Sequence, residues 1–352
     1  MSLDYYYIAR NLYQYVYSEP IYRNLGGEFL AWTRDTYFKL YQHFVFKTKG
    51  KSFLGVLPRV KWVDRNNISG LRGILIANTL HKLGYNQKYM KSVLMYHGTS
   101  DKVPRVSKQI ANQFNYYLLS GPKNEIKLAK AAGISLDSPR LIRVGNWMFD
   151  PIVQQNYNIE AVRARFGIED KSRPTILYAP TWGYGGGTLL KYGPHFMKTI
   201  PQKYHLIIRP HYGESSYISK LKKMVPRHLR KWVTFARPAH IFRKHYMENL
   251  LIADLLISET SSMLYEYLIM RRPIIIIDTE TNEVDMDNDG MSIYHLAEHF
   301  REGDNILDMI KRNLDDKSIP HDMESLLYKC FYFNDGKSTE RCLDFFSDIY
   351  EL

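Results

Sequence analysis

Leu255-Leu256-Ile257-Ser258-Glu259-Thr260-Ser261-Ser262-Met263-Leu264-Tyr265-Glu266 joins three aliphatic residues, a run of small polar ones and a segment of helix formers. A short aliphatic run closed by polar residues fits a strand buried on both faces, and hydroxyl residues before Met263 are a usual helix start. The same order recurs outward from this stretch. Apolar runs at 175–178, 205–208, 232–235 and 273–277 alternate with helical segments. Toward the N-terminus, 92–96, 116–119 and 141–144 read as strands, and Ser120-Gly121-Pro122 opens a helix ending near Gly133. A helical stretch is also expected from about residue 68 to Leu83-Gly84. Strands alternating with helices imply parallel sheets covered on both faces, so the expected class is α/β with two doubly wound, Rossmann-like domains facing a cleft.

The chain has 352 residues, about twice a usual domain length. The expected division is residues 1–150, 151–332, and a C-terminal helix within 333–352. That helix would carry Cys342, Leu343, Phe345 and Phe346 on its apolar side and return to the first domain. Forty-eight basic against thirty-six acidic residues leave a formal charge of +12, which calls for an anionic partner: nucleic acid, phospholipid or a phosphorylated small molecule. Two cysteines, Cys330 and Cys342, exclude a disulfide framework or a zinc cluster and fit a reducing cytoplasm. No run approaches the ~20 apolar residues needed to span a bilayer.

The first fifty residues hold nine Tyr, four Phe and one Trp. Tyr37, Leu40, Tyr41 and Phe44 recur at helical steps among Lys39, His43, Lys47, Lys49 and Lys51. That pattern fits either a helix packed on its own domain or a basic amphipathic surface for a membrane or partner.

In open α/β sheets ligands bind beyond the carboxyl ends of strands, so the residues after each strand carry the information. Here they are His97-Gly98-Thr99, Ala179-Pro180-Thr181-Trp182, Arg209-Pro210-His211 and Ser258-Glu259-Thr260-Ser261-Ser262. Thr260, Ser261 and Ser262 precede a helix whose first-turn amides suit an anion such as a diphosphate; ordinary N-capping is the plainer reading. Glu266, one turn on, is either a ligand for ribose hydroxyls or a solvated helical carboxylate. Arg209 and His211 suit a phosphoryl group that needs charge neutralisation and a proton for its leaving oxygen, or else form a surface ion pair. His97 is read either as a general base or as a structural histidine, the commoner case for a lone His, and Gly98 would let substrate approach the backbone.

Gly183, Gly185, Gly186 and Gly187 form a flexible loop, expected as a lid, that lacks both the Walker A lysine and GxGxxG spacing. Asp285-Met286-Asp287-Asn288-Asp289-Gly290 starts like a calcium loop, but Leu296 stands where the bidentate Glu belongs, so an exposed acidic loop is expected. No metal site and no cofactor are expected.

In this order, His97-Gly98-Thr99 with Lys102, Ile176-Leu177-Tyr178-Ala179-Pro180-Thr181-Trp182, Arg209-Pro210-His211, and Asp254-Leu255-Leu256-Ile257 with Thr260-Ser261-Ser262 resemble the CDP-glycerol glycerophosphotransferase family. Arg272-Pro273, Asn334-Asp335-Gly336-Lys337 and Glu340-Arg341 extend the resemblance, which covers roughly residues 90 to 345. It implies a GT-B-type fold of two Rossmann-like domains, with the CDP moiety on the C-terminal one. It implies transfer of glycerol phosphate or a related polyol phosphate from a CDP-linked donor to a hydroxyl of a lipid-linked or polymeric, teichoic-acid-like or capsular acceptor, releasing CMP. His97 would deprotonate the acceptor. Arg209, His211, Thr260, Ser261 and Ser262 would hold the diphosphate, and Glu266, where the family commonly has Asp, would bind ribose. Gly98, Thr99, Lys102 and Thr181 complete the expected substrate contacts. Ser100-Asp101 replaces the family's usual Pro-Leu, and Glu259-Thr260 its usual Asp-Tyr.

Such an enzyme is expected in the cytoplasm, peripheral at the inner face of the membrane. The nearest rival is a nucleotide-sugar glycosyltransferase or epimerase of the same fold. A basic nucleic-acid-binding protein without activity is the rival of another class; no helix-turn-helix, RRM or zinc-finger pattern supports it, and no nucleic-acid partner is expected.

Overall fold

A computed structural model describes residues 4–48, 59–64, 68–96, 99–101, 106–183, 187–236, 247–279 and 290–349. The chain forms two compact units, one of residues 1–98, 104–154 and 331–352, the other of residues 99–103 and 155–330. Each is built on one parallel sheet, which bears out the α/β class.

The first sheet comprises β1 (Tyr5–Ala9), β2 (Glu28–Ala31), β3 (Arg59–Trp62), β4 (Gly73–Ala77), β5 (Met90–Met95), β6 (Tyr116–Leu119) and β7 (Leu141–Arg143), in the order β3-β2-β1-β4-β5-β6-β7. The second comprises β8 (Thr175–Tyr178), β9 (His205–Ile208), β10 (Val233–Phe235), β11 (Leu255–Ser258), β12 (Ile274–Ile277) and β13 (Glu298–Phe300), in the order β10-β9-β8-β11-β12-β13. That is the doubly wound order, which reverses between β8 and β11, where Ile257 stands opposite Tyr178. Central strands of such sheets are covered on both faces and so read as unbroken apolar runs. In β12 four consecutive isoleucines are all buried.

One expectation changes. The segment after residue 68 is not helical: Gly73-Ile74-Leu75-Ile76-Ala77 is β4, paired with β1 and β5 and buried throughout. An apolar run of that length fits a buried strand as well as a helix, and its central place in the sheet decides. The aromatic N-terminus is largely core. Tyr5, Tyr6 and Tyr7 lie in β1, and Tyr7 stacks on Phe29 at 5.0 Å and meets Tyr22 edge-on at 5.6 Å. On the helix Arg34–Thr48, Leu40 and Phe44 are buried while Phe38 and Tyr41 are exposed.

The C-terminal helix Ser338–Asp348 packs within the first unit, Phe346 against Tyr5 and Phe345 against Tyr116. The buried Asp150 carboxylate accepts from Ser338 N at 3.0 Å and Thr339 N at 2.6 Å, placing negative charge on that helix start. Gly145, at φ +86°, is the residue over which this return passes: a Cβ there would meet Ser338 Oγ at 2.5 Å.

Candidate active site

At the switch point of the second sheet, Ala179 N donates to Ile257 O (2.9 Å) and Ser258 Oγ donates to Ala179 O (2.7 Å), so the chains leaving β8 and β11 are joined at once. Next comes Glu259, fully buried. Its Oε1 accepts from Thr181 N (2.9 Å) and Thr188 N (3.1 Å), gathering the two ends of the glycine-rich segment on one carboxylate. Hydrogen bonds to a charged acceptor are roughly twice as strong as neutral ones, which is what a carboxylate at this depth requires. Tyr178 reaches the same segment through Thr188 Oγ1 at 2.8 Å; burial first, and the charge of Glu259 second, push its phenol far above its ordinary value.

A second carboxyl holds the loop from the other side. Glu214 Oε1 accepts from Gly183 N at 3.1 Å, while its Oε2 is buried with no hydrogen-bond partner among the described residues. Burial raises the Glu214 pKa, the Gly183 N–H opposing it.

Beyond β9, Arg209 N donates to Tyr178 O (2.9 Å), and Arg209 and His211 are half-buried. His211 caps the turn Tyr212–Tyr217, its Nδ1 accepting from Gly213 N at 3.2 Å. A ring nitrogen that accepts carries no proton, so neutral His211 holds its proton on Nε2 and presents a donor there. The imidazole stacks on the exposed Trp182 ring, centroids 5.7 Å apart and 23° between planes. Stacking fixes its plane.

Beyond β11, Ser261 caps the short helix Ser262–Glu266, accepting from Met263 N at 3.3 Å. The capping reading therefore holds for Ser261. Thr260 is buried, with Tyr294 OH donating to its Oγ1 at the long distance of 3.5 Å. Glu266 is buried as well, which overturns its reading as a solvated helical carboxylate. Thr181 is buried and its N–H is taken by Glu259.

Of the segment after β5, Thr99 and Asp101 are buried, and Tyr265 OH donates to Asp101 Oδ2 at 2.5 Å while accepting from Ile293 N at 3.2 Å. Asp101 thus has a tyrosine partner where an apolar residue was the pattern. His97, Gly98 and Lys102 lie outside the described residues, as do Gly185 and Gly186 of the expected lid and Asp285 to Asp289 of the calcium-like loop. The structure brings Thr181, Arg209, His211, Thr260, Ser261 and Ser262 to the carboxyl ends of three strands of one sheet. Sequence reasoning missed Glu214 and Tyr265. Glu214 had a signal, a carboxylate three residues beyond His211, and Tyr265 had none.

The model of CDP-Glycerol:Poly(glycerophosphate) glycerophosphotransferase matches residues 74–347, more than half of the chain. The chain belongs to this family. The solved structure of the wall teichoic acid polymerase TagF resembles it with a TM-score of 0.65 and 14% identity, over 100% of this chain and 90% of that one. A variant of that polymerase with CDPG gives 0.63 and 16% over 99% and 89%. The S. aureus MnaA–UDP co-structure gives 0.61 and 10% over 99% and 97%. At such identities the likeness speaks for the fold, and it includes the GT-B-type neighbours expected of the family. No curated protein matches the chain.

Proposed function

We propose that this glycerophosphotransferase moves glycerol phosphate, or a related polyol phosphate, from a CDP-linked donor to a hydroxyl of a teichoic-acid-like or capsular acceptor, releasing CMP. The acceptor oxygen attacks the distal phosphorus of the donor, its proton passes to His97, and the bond from that phosphorus to the bridging oxygen breaks. CMP takes the bond electrons. Charge grows on the bridging and non-bridging oxygens as this happens, so donors fixed in advance are worth most.

The observation that carries the reading is the His211 ring: Nδ1 accepts from Gly213 N, which puts the proton of the neutral ring on Nε2, and the plane is set against Trp182, beside Arg209 at the end of β9. Arg209 neutralises the diphosphate, Ser261 and Ser262 offer hydroxyls to it, and Glu266 is assigned to ribose. Residues holding a metal or cofactor are not part of this scheme.

CMP release from CDP-glycerol, with CDP-ribitol alongside and a short glycerol-phosphate acceptor, tests it. Loss of release in both His97→Ala and His211→Ala supports the assignment. Consumption of a nucleotide sugar instead of any CDP-polyol would transfer the function to the glycosyltransferase reading.

Among the described residues no helix is long and apolar enough to cross a membrane. Peripheral contact is proposed at Phe38, Tyr41 and Trp62, three exposed aromatics with Arg34 lying over the Trp62 ring at 5.0 Å. Nearby basic residues would add about 1 kcal/mol each at an anionic surface. Failure to sediment with anionic liposomes at low salt would count against it.

A further inference from the structure

The amino ends of the second sheet carry a different chemistry from its carboxyl ends. A cavity of about 620 Å³ opens where β8, β9 and β11 begin, lined in part by Pro174, Tyr204 and Asp254, the residues just before those strands. Four cations from three separate segments converge on it: Arg163 from the helix Ile159–Arg165, Lys171 and Arg173 from the approach to β8, and Lys311 from the helix Ile306–Asp315.

The two acids in the lining are already engaged. Asp254 Oδ2 accepts from Thr175 N at 2.7 Å, and Asp315 pairs with Lys311 at 2.5 Å. The Lys311–Asp315 pair is 69% and 64% exposed and the Lys171–Glu160 pair 60% and 63%; exposed pairs contribute at most ~1 kcal/mol, so both lysines can turn to a stronger anion. Arg163 has no ion-pair partner among the described residues. Arg173 is fixed in place, its guanidinium 3.8 Å from the Trp232 ring centre and Nη1 donating to Pro201 O.

The positive field reaches inward. Burial, and after it the charge of Arg163, which Asp170 opposes and Arg173 reinforces, hold the buried His205 down to about 4. A concave site of this size, with cations held from several directions and its acids occupied, matches what a small polyanion needs.

We propose that this cavity binds phosphodiester anions, specifically a non-reacting segment of a glycerol-phosphate polymer whose end is being extended at the opposite ends of the same strands. This rests on the phosphotransfer reading for the polymer but not for the anion chemistry. Four-residue strands span only ~13 Å, so the two ends of the sheet are near enough for one long polymer passing over the surface of the unit to reach both. Holding a distant segment raises the effective concentration of the reacting end without altering the chemistry there.

The test uses the full chain and the double variant Arg163→Ala/Lys311→Ala, which removes two cations and leaves Arg173 on Trp232. Titration calorimetry with a glycerol-phosphate oligomer of about ten units should show at least tenfold weaker binding to the variant, and binding to the wild type that weakens with salt. In turnover, KM for the long acceptor should rise about tenfold in the variant, while kcat and KM for a one-unit acceptor stay unchanged. Equal oligomer binding by the two proteins overturns the proposal. So does a KM rise that is the same for long and one-unit acceptors, or inorganic phosphate displacing the oligomer mole for mole. If neither acceptor is turned over by either protein, the phosphotransfer reading fails, and the calorimetry still decides the cavity.

Discussion

Around their centres the two sheets repeat one strand order, β2-β1-β4-β5 in the first and β9-β8-β11-β12 in the second, yet the equivalent switch points are closed by different chemistry. In the first, the buried amide of Gln14 accepts from Arg10 N (2.5 Å) and Asn11 N (2.9 Å) and donates to Thr79 Oγ1 (2.9 Å). Beside it Ser18 Oγ donates to Asn78 Oδ1, and Asn78 Nδ2 to Met95 O. Each of these groups is neutral. In the second, a buried carboxylate, Glu259, holds Thr181 N and Thr188 N. Both side chains accept from two main-chain N–H groups, but an amide can also donate, as Gln14 does to Thr79, whereas a carboxylate only accepts. The first switch point therefore ties neighbouring main-chain donors to a distant hydroxyl through neutral bonds, and the second gathers the donors of the glycine-rich segment on one carboxyl group.

The comparison breaks most easily at Glu259. Glu259→Ala would leave two buried N–H groups unpaired at ~1–3 kcal/mol each, so a loss of about 4 kcal/mol in urea unfolding is expected, with activity abolished. Glu259→Gln, which keeps an acceptor oxygen, should lose about half of that. A Glu259→Ala protein as stable as the wild type would remove the carboxylate from any role in holding the loop.

His211→Ala comes next and separates chemistry from scaffold. Loss of a preorganised donor to a developing oxyanion typically costs about 100-fold in kcat, equivalent to about 2.7 kcal/mol, while a half-buried ring should change unfolding free energy by only about 1 kcal/mol. Equal damage to stability and turnover would assign His211 to the scaffold.

Gln14→Ala is the matched control in the first sheet. It removes neutral bonds only, so about 2 kcal/mol of stability should go while CDP-glycerol turnover per folded molecule stays near that of the wild type. If it costs as much as Glu259→Ala, charge is not what distinguishes the two switch points.

How far these features were legible follows from their range along the chain. Runs such as Ile274 to Ile277 announce a buried parallel strand by themselves, and with the strands placed, Arg209, His211 and Thr260 fall just beyond carboxyl ends, where the structure has them. Tyr5-Tyr6-Tyr7 did not announce β1, because a tyrosine run fits a wet interface as well as a core, and only the edge-on and stacked partners Tyr22 and Phe29 settle it. Gly73 to Ala77 carries no periodicity that separates strand from helix. The Glu259 clamp was illegible for another reason. Its partners lie 78 and 71 residues away, and the bond is made to main-chain N–H groups, which leave no mark on residue type.

The smallest effect sharpens the contrast by pH. Glu214, the other buried carboxyl on the glycine-rich segment, has its pKa raised by burial above the ordinary glutamate value. An acid with a raised pKa in the folded state favours folding in its protonated form, so its contribution is complete below the unfolded value and is lost as pH rises through the folded one. Glu214→Gln mimics the protonated acid at every pH. The two proteins should therefore unfold alike in mild acid, and the Gln variant should become the more stable as pH is raised above the ordinary glutamate range toward neutrality. Parallel stability curves over that interval would mean that Glu214 is charged in the folded protein as readily as in the unfolded chain. The Gly183 N–H would then balance its burial, and Glu214 would hold the glycine-rich segment as a carboxylate.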